Sequence, residues 1–218
     1  MKTPPQLEIS ELFFSIQGES SYGGQPCVFI RLSGCNLRCS YCDAEYTYEE
    51  AGTRKDISEI MAFVAQHEGF PVEITGGEPL LQENVYLLMD ELLAAGCRVL
   101  LETNGSISLT KVPAGVVKIM DVKCPGSTMH EHLLTDNLDL LGPGDELKFV
   151  LCSRADYEWA VKLINNTALN KAIIIHFSPV PGKLESAQLA EWILKDRLPV
   201  RLQLQLHKFL WPYEIRGK

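Results

Sequence analysis

The chain has 218 residues, 46% of them hydrophobic, and a mean hydropathy near zero. That is enough for one sizeable core and too little for two comfortable domains, so a single domain is expected over 1–218. A formal charge of −8 argues against a nucleic-acid backbone as partner, because phosphate binding needs a basic face.

The opening run MKTPPQLEISEL lacks an apolar signal core, and no stretch approaches the roughly 20 apolar residues that span a bilayer. Seven cysteines, an odd number, favour reduced thiols over a disulfide framework. The expectation is a cytoplasmic protein that touches no membrane.

In chain order, apolar β-branched runs alternate with amphipathic segments. Residues 27–32 read as the first core strand, 72–75 as the second, and 98–101, 116–121, 147–151, 172–176 and 200–204 as those that follow. Between them lie helices over 57–66, after the N-cap Asp56, and over 84–95, stopping at Gly96. Two more, over 155–164 and 186–194, separate the late strands. Such alternation means a parallel sheet with helices outside. Eight βα units would be tight, so the fold class expected is α/β, an open, partial (β/α) barrel of about six core parallel strands.

Enzymes built on such barrels work at the carboxyl ends of the strands, and the unusual residues fall there. After the first strand, CNLRCSYC places Cys35, Cys39 and Cys42 in one loop spanning 33–47. A four-iron cubane takes one cysteine per iron, so three thiolates leave one iron open. The competing reading is a zinc site, which wants four closed ligands. Cys27, Cys97, Cys124 and Cys152 are scattered singly, however, and read more readily as small buried hydrophobes. After the second strand comes Thr75-Gly76-Gly77-Glu78-Pro79, where two glycines allow close backbone approach. Glu102-Thr103-Asn104-Gly105, Asp121-Val122-Lys123 and Gln205-Leu206-His207-Lys208 end later strands. Each is ordinary alone; together they mark one rim.

The C-x-x-x-C-x-x-C loop resembles that of the radical S-adenosylmethionine (SAM) enzymes. The resemblance implies a 4Fe-4S cluster on Cys35, Cys39 and Cys42, with SAM chelating the open iron. It places Tyr41, Cys42, Asp43, Gly77, Glu78, Thr103, Asn104, Asp121, Val122, Lys123 and Gln205 against SAM. The order of FSIQGES (14–20), FIRLSGC (29–35), GGEP and QLHK further resembles the 7-carboxy-7-deazaguanine synthase family, from about Glu8 to Trp211. That family's activity is a radical ring contraction of 6-carboxy-5,6,7,8-tetrahydropterin with loss of ammonia, in 7-deazapurine (queuosine) biosynthesis. By this resemblance 8–26 is a substrate-binding segment. Ile16, Gln17, Gly18 and Glu19 then meet the pterin edge, Arg31 pairs with its carboxylate, and Thr75 and His207 add contacts. A planar guanidinium suits a carboxylate, and Gln and Glu can mirror the edge's donors and acceptors. The resemblance also implies a flavodoxin or ferredoxin as electron donor, a homodimer, and SAM regenerated in each turnover.

Two departures stand out. The family's Thr or Ser ligand to a magnesium ion is Ala44 here, leaving Thr47 as a weak substitute, and the chain continues over 211–218 where some relatives end. Two alternatives remain at this point. One is an activase of a glycyl radical enzyme, in which Gln17, Glu19 and Arg31 would have no task. The other is a non-catalytic iron-sulfur or zinc module, for which GGEP and the polar strand ends would be accidents.

Overall fold

Two segments that periodicity passes over are strands in the computed structural model, which describes residues 4–214, 216 and 217. β1 (Gln6–Ile16) lies antiparallel to β2 (Pro26–Leu32), with Glu11 opposite Arg31. β3 (Thr53–Asp56), whose sequence TRKD holds no apolar residue, pairs antiparallel with the start of β1. Its role is to occupy the row of N–H and C=O groups that β1 would otherwise leave open. From β2 onward the sheet is parallel, through β4 (Val72–Gly76), β5 (Val99–Thr103), β6 (Val117–Lys123), β7 (Glu146–Leu151), β8 (Ile174–Pro179) and β9 (Arg201–Leu202). The strands form one nine-stranded sheet in the order β3-β1-β2-β4-β5-β6-β7-β8-β9, an open, partial barrel.

Helices cover the outer face. α1 (Tyr46–Glu49) is a single turn after the cysteine loop. α2 (Ile57–Val64) starts at Asp56 in a capping box, Glu59 accepting the Asp56 N–H at 2.8 Å. α3 (Val85–Ala94) buries Val85, Leu88, Met89 and Leu92, the i, i+3, i+4, i+7 stripe of a helix facing a core. It ends where Gly96, at φ +79°, and Cys97 donate back to Leu93 and Leu92, a Schellman motif. α4 (Arg154–Asn166) and α5 (Ser186–Asp196) complete the layer. Against them the strands present Val28, Ile30, Ile74, Leu101, Val122, Leu147, Phe149 and Phe177, all fully buried, each stabilising by about 1.5–3 kcal/mol. Among the described residues, no helix is long and apolar enough to cross a membrane.

The last strand is shorter than periodicity predicts. After two residues the chain turns at Gln203, whose side chain donates to Ser20 O at 3.0 Å, and QLHK opens the short helix α6 (Leu206–Leu210) rather than ending a strand. The loop after β1 thereby bridges the open side of the barrel, Gly18 O accepting the Leu206 N–H at 2.9 Å. Gly18 is required there, since a Cβ would stand 2.1 Å from the His207 ring.

Candidate active site

The cysteine loop leaves β2 and is tied down on both sides. Glu78 N–H donates to Gly34 O at 2.9 Å, and a Cβ on Gly77 would lie 2.2 Å from that same oxygen. The paired glycines of GGEP therefore let the turn press against the root of the cysteine loop. Asn36 bonds Ser106 on one flank, and Ser40 donates to Gly126 O on the other. Cys35, Cys39 and Cys42 all face one cavity of about 250 Å³ at the carboxyl ends of the strands. All seven cysteines are free thiols.

Inside the barrel, several of the strand residues that face the cavity are ionisable. Lys148, almost wholly buried on β7, has its ammonium 2.8 Å from Glu19 and 3.5 Å from Asp121, and is also paired with Glu102. Asp121 is held further by Lys123 at 2.9 Å. Burial alone would raise the Glu19 carboxyl, but the charge and hydrogen bond of Lys148, with His207 and Gln205 adding, together outweigh it and pull the group down to about 2. Glu73 forms no direct ion pair among the described residues, Lys148 and Arg31 acting on it only from further off. Burial first, and the neighbouring Glu102 charge second, hold its carboxyl well above the usual range, and Gln17 donates its amide to it. His207 is pushed down by burial, against the pull of Glu19.

The structure brings together nearly all the residues singled out from sequence. Ile16, Gln17, Gly18, Glu19, Arg31, Thr75 and His207 line the cavity, as do Tyr41, Asp43, Gly77, Thr103, Asn104, Asp121, Lys123 and Gln205. Two do not reach it with their side chains. Glu78 is fully buried, its carboxylate accepting from Leu80 N, Thr103 Oγ1 and Asn104 N at 2.7–3.0 Å, so it braces the floor by joining two turns. Val122 falls on the outer face and packs in the core under the helices. Gln205 donates to Glu19 at 2.8 Å and so stands with the residues expected at the pterin edge. Sequence reasoning missed Glu73 and Lys148, which line the cavity, and Glu11, which binds Arg31 at 2.9 Å. The available signal was a single charge at the second position of each of VEITG and LKFVL, set between apolar residues.

The thiols fit a cubane better than a mononuclear ion. Among the described residues no three His, Cys, Asp or Glu side chains converge on one point, whereas a cubane takes one thiolate per iron, spread around its faces. Cys39 is raised to about 11 by burial, with Lys123 opposing and the Cys42 and Cys35 charges adding, so binding iron must displace its proton. Asp121 Oδ1 is buried without a hydrogen-bond partner among the described residues, an acceptor that a ligand hydroxyl or N–H would satisfy. Magnesium finds no such fit. Ala44 has no side-chain oxygen, and the Thr47 hydroxyl is turned onto the Ala44 carbonyl at 2.7 Å.

Residues 29–118 match the model of the radical SAM superfamily. A 7-carboxy-7-deazaguanine synthase of Koribacter versatilis is 46% identical over 97% of this chain and all of its own. One from Chlorobaculum tepidum is 47% identical, with both chains covered in full. The crystal structure of QueE from Escherichia coli shares the fold, with a TM-score of 0.78 at 23% identity over 93% of this chain and 95% of its own.

Proposed function

The chain belongs to the 7-carboxy-7-deazaguanine synthase family of radical SAM enzymes, and from that premise we propose how its cavity divides the work. The reaction is the ring contraction of 6-carboxy-5,6,7,8-tetrahydropterin to 7-carboxy-7-deazaguanine with loss of ammonia, and its cofactors are a 4Fe-4S cluster and SAM. When bound, these would supply a deoxyadenosyl radical that takes a hydrogen atom from the substrate carbon bearing the carboxylate.

Cys35, Cys39 and Cys42 hold the cluster. Tyr41, Cys42, Asp43, Gly77, Thr103, Asn104, Asp121 and Lys123 bind SAM, Gln205 joins the pterin side through its bond to Glu19, Glu78 serves through the turns its carboxylate braces, and Val122 through the backbone of β6. At the other end of the cavity Arg31 takes the substrate carboxylate, and Ile16, Gln17, Gly18, Glu19, Thr75 and His207 border the pterin. Lys148 holds Glu19, Glu102 and Asp121 in place, so that carboxylate oxygens stand ready to accept from pterin N–H groups. Magnesium is assigned no step.

The observation that carries this reading is that cysteine loop and Arg31 open onto one cavity. An activase would leave Glu19, Arg31 and the ionic interior without a task, and a non-catalytic module would need no cavity at all. We take 1–218 as one radical SAM domain, with 8–26 as substrate segment and 33–47 as cluster loop. Seven free thiols suit a reducing cytoplasm. A flavodoxin or ferredoxin as electron source, a homodimer, and SAM regenerated in each turnover complete the proposal. For the segment 211–218 no role is carried over; Ile215 and Lys218 lie outside the described residues.

The test is anaerobic reconstitution with iron, sulfide, SAM and dithionite, followed by addition of the carboxypterin. One deazapurine and one ammonia per pterin are expected. Deoxyadenosine release without deazapurine would overturn the substrate assignment, and neither deazapurine nor deoxyadenosine would overturn the radical chemistry.

A further inference from the structure

Glu11 does not line the cavity, yet it is where Arg31 meets two distant segments. The two residues are cross-strand partners on β1 and β2, beside a register shift between Ile9 and Glu11. Arg31 Nε donates to Glu11 Oε2 at 2.9 Å, and the Tyr46 hydroxyl, from α1 after the cysteine loop, donates to the same oxygen at 2.8 Å. Gly217 N–H donates to the other oxygen, Oε1, at 3.1 Å. The guanidinium lies 5.5 Å from the centroid of Phe13, whose ring stacks on Phe29 at 4.7 Å. Only the Nε edge of Arg31 is engaged among the described residues, and Arg31 itself lines the cavity.

A guanidinium has two usable edges, and each can hold one carboxylate. Glu11 takes the Nε edge from behind, which leaves the two terminal nitrogens for a second carboxylate on the cavity side. A long side chain on a strand otherwise loses rotamer freedom when it binds, and a partner that fixes it beforehand removes that cost. Because Tyr46 shares the same oxygen, the fork is also tied to the segment that carries the cysteines.

We propose that Glu11 is a positioning residue for the substrate's carboxylate: it holds Arg31 by its Nε edge, presents the terminal fork to the cavity, and through Tyr46 ties that fork to the cluster loop. This rests on Arg31 being the carboxylate's partner. The role is a matter of recognition, so it is read in binding rather than in turnover.

The experiment compares two ligands on reconstituted, SAM-loaded enzyme by calorimetry: the carboxypterin and the same tetrahydropterin without its 6-carboxylate. Glu11→Ala is expected to weaken the carboxylated ligand by about ten- to a hundredfold, the range for a lost hydrogen bond to a charged group, while the carboxylate-free ligand changes less than twofold. Tyr46→Phe shifts in the same direction by a smaller factor and needs no folding of a charge-deleted variant. Iron content and SAM affinity stay unchanged in both. Equal weakening of both ligands would make Glu11 merely structural and overturn the proposal. Unchanged or tighter binding of the carboxylated ligand would show that Glu11 competes for Arg31, and overturns it equally. Arg31→Ala separates the premise: if it keeps the preference for the carboxylated ligand, Arg31 itself was misassigned. If it loses that preference while Glu11→Ala keeps it, the assignment of Arg31 stands and the positioning role falls.

Discussion

Lys148 and Phe149 are neighbours on β7, both almost fully buried, and they live in different media. Phe149 packs edge-on against Phe177 at 5.5 Å, in an apolar layer beneath the helices. Lys148 faces the barrel interior, where Glu19, Glu102 and Asp121 surround its ammonium. The outer face is held by area removed from water, which is non-directional and tolerant of shape. The inner face is held by charges that are affordable only because each has a partner. A strand of this barrel therefore carries the apolar core on one side and the ionic lining of the cavity on the other, one residue apart.

Total loss of function is the largest effect expected, and it should follow the rim of the inner face alone. Cys39→Ala should abolish the brown chromophore and all SAM cleavage, whereas Cys97→Ala, in the outer shell, should keep both, as iron analysis and deoxyadenosine release would report. Equal loss in both variants would erase the distinction.

Next in size is the paired comparison on β7. Lys148→Met strands three carboxylates and should cost about 3–5 kcal/mol near neutral pH. Phe149→Ala should cost a similar amount, about 3–5 kcal/mol, through its cavity. The two separate in acid. Glu19 is lowered from 4.5 to about 2, so its stabilisation is present above 4.5 and is lost as pH falls towards 2. The penalty for Lys148→Met should shrink across that window, and the Phe149→Ala penalty should not. Denaturant midpoints between pH 7 and pH 2 check the difference.

How much of this was readable from the sequence differs between the two faces. The outer pattern of the six long parallel strands, the capped α2 and α3, and the cysteine loop all carry local signals, because apolar runs and cap residues report their own neighbourhood. β1 was read only as a motif, since its alternation QLEISELFFSI mixes charge with aromatics. β3 has no strand signal at all, being paired purely because β1 offers it an edge. Glu73, Lys148 and Glu11 could not be assigned, because a charge inside a strand acquires its meaning from partners such as Glu19, which lies 129 residues away from Lys148. The expected strand end at QLHK became α6 for the same tertiary reason, the loop after β1 capturing Gln203 and Leu206.

A smaller effect sharpens the charge side of the contrast. Glu73 is held above its ordinary 4.5 by burial and then by Glu102, so whatever stability its neutral form gives is full below 4.5 and is lost as pH rises through the raised value. Glu73→Gln should leave the melting temperature unchanged in acid and raise it in alkali. A fall at every pH would mean that Glu73 works as an anion. The smallest effect concerns magnesium. With Ala44 in the cavity wall, activity after rigorous chelation should change little on adding back the ion; strong activation at low micromolar magnesium would reveal a protein ligand elsewhere.

The central claim is that the inner face holds the carboxypterin with its carboxylate-bearing carbon presented to the radical. Substrate deuterated at that carbon tests it most directly, with mass analysis of SAM recovered from turnover of the reconstituted enzyme. Deuterium is expected in the recovered SAM, at its 5′ carbon, accumulating as deazapurine forms. Deazapurine formation with no deuterium in SAM or deoxyadenosine would contradict it.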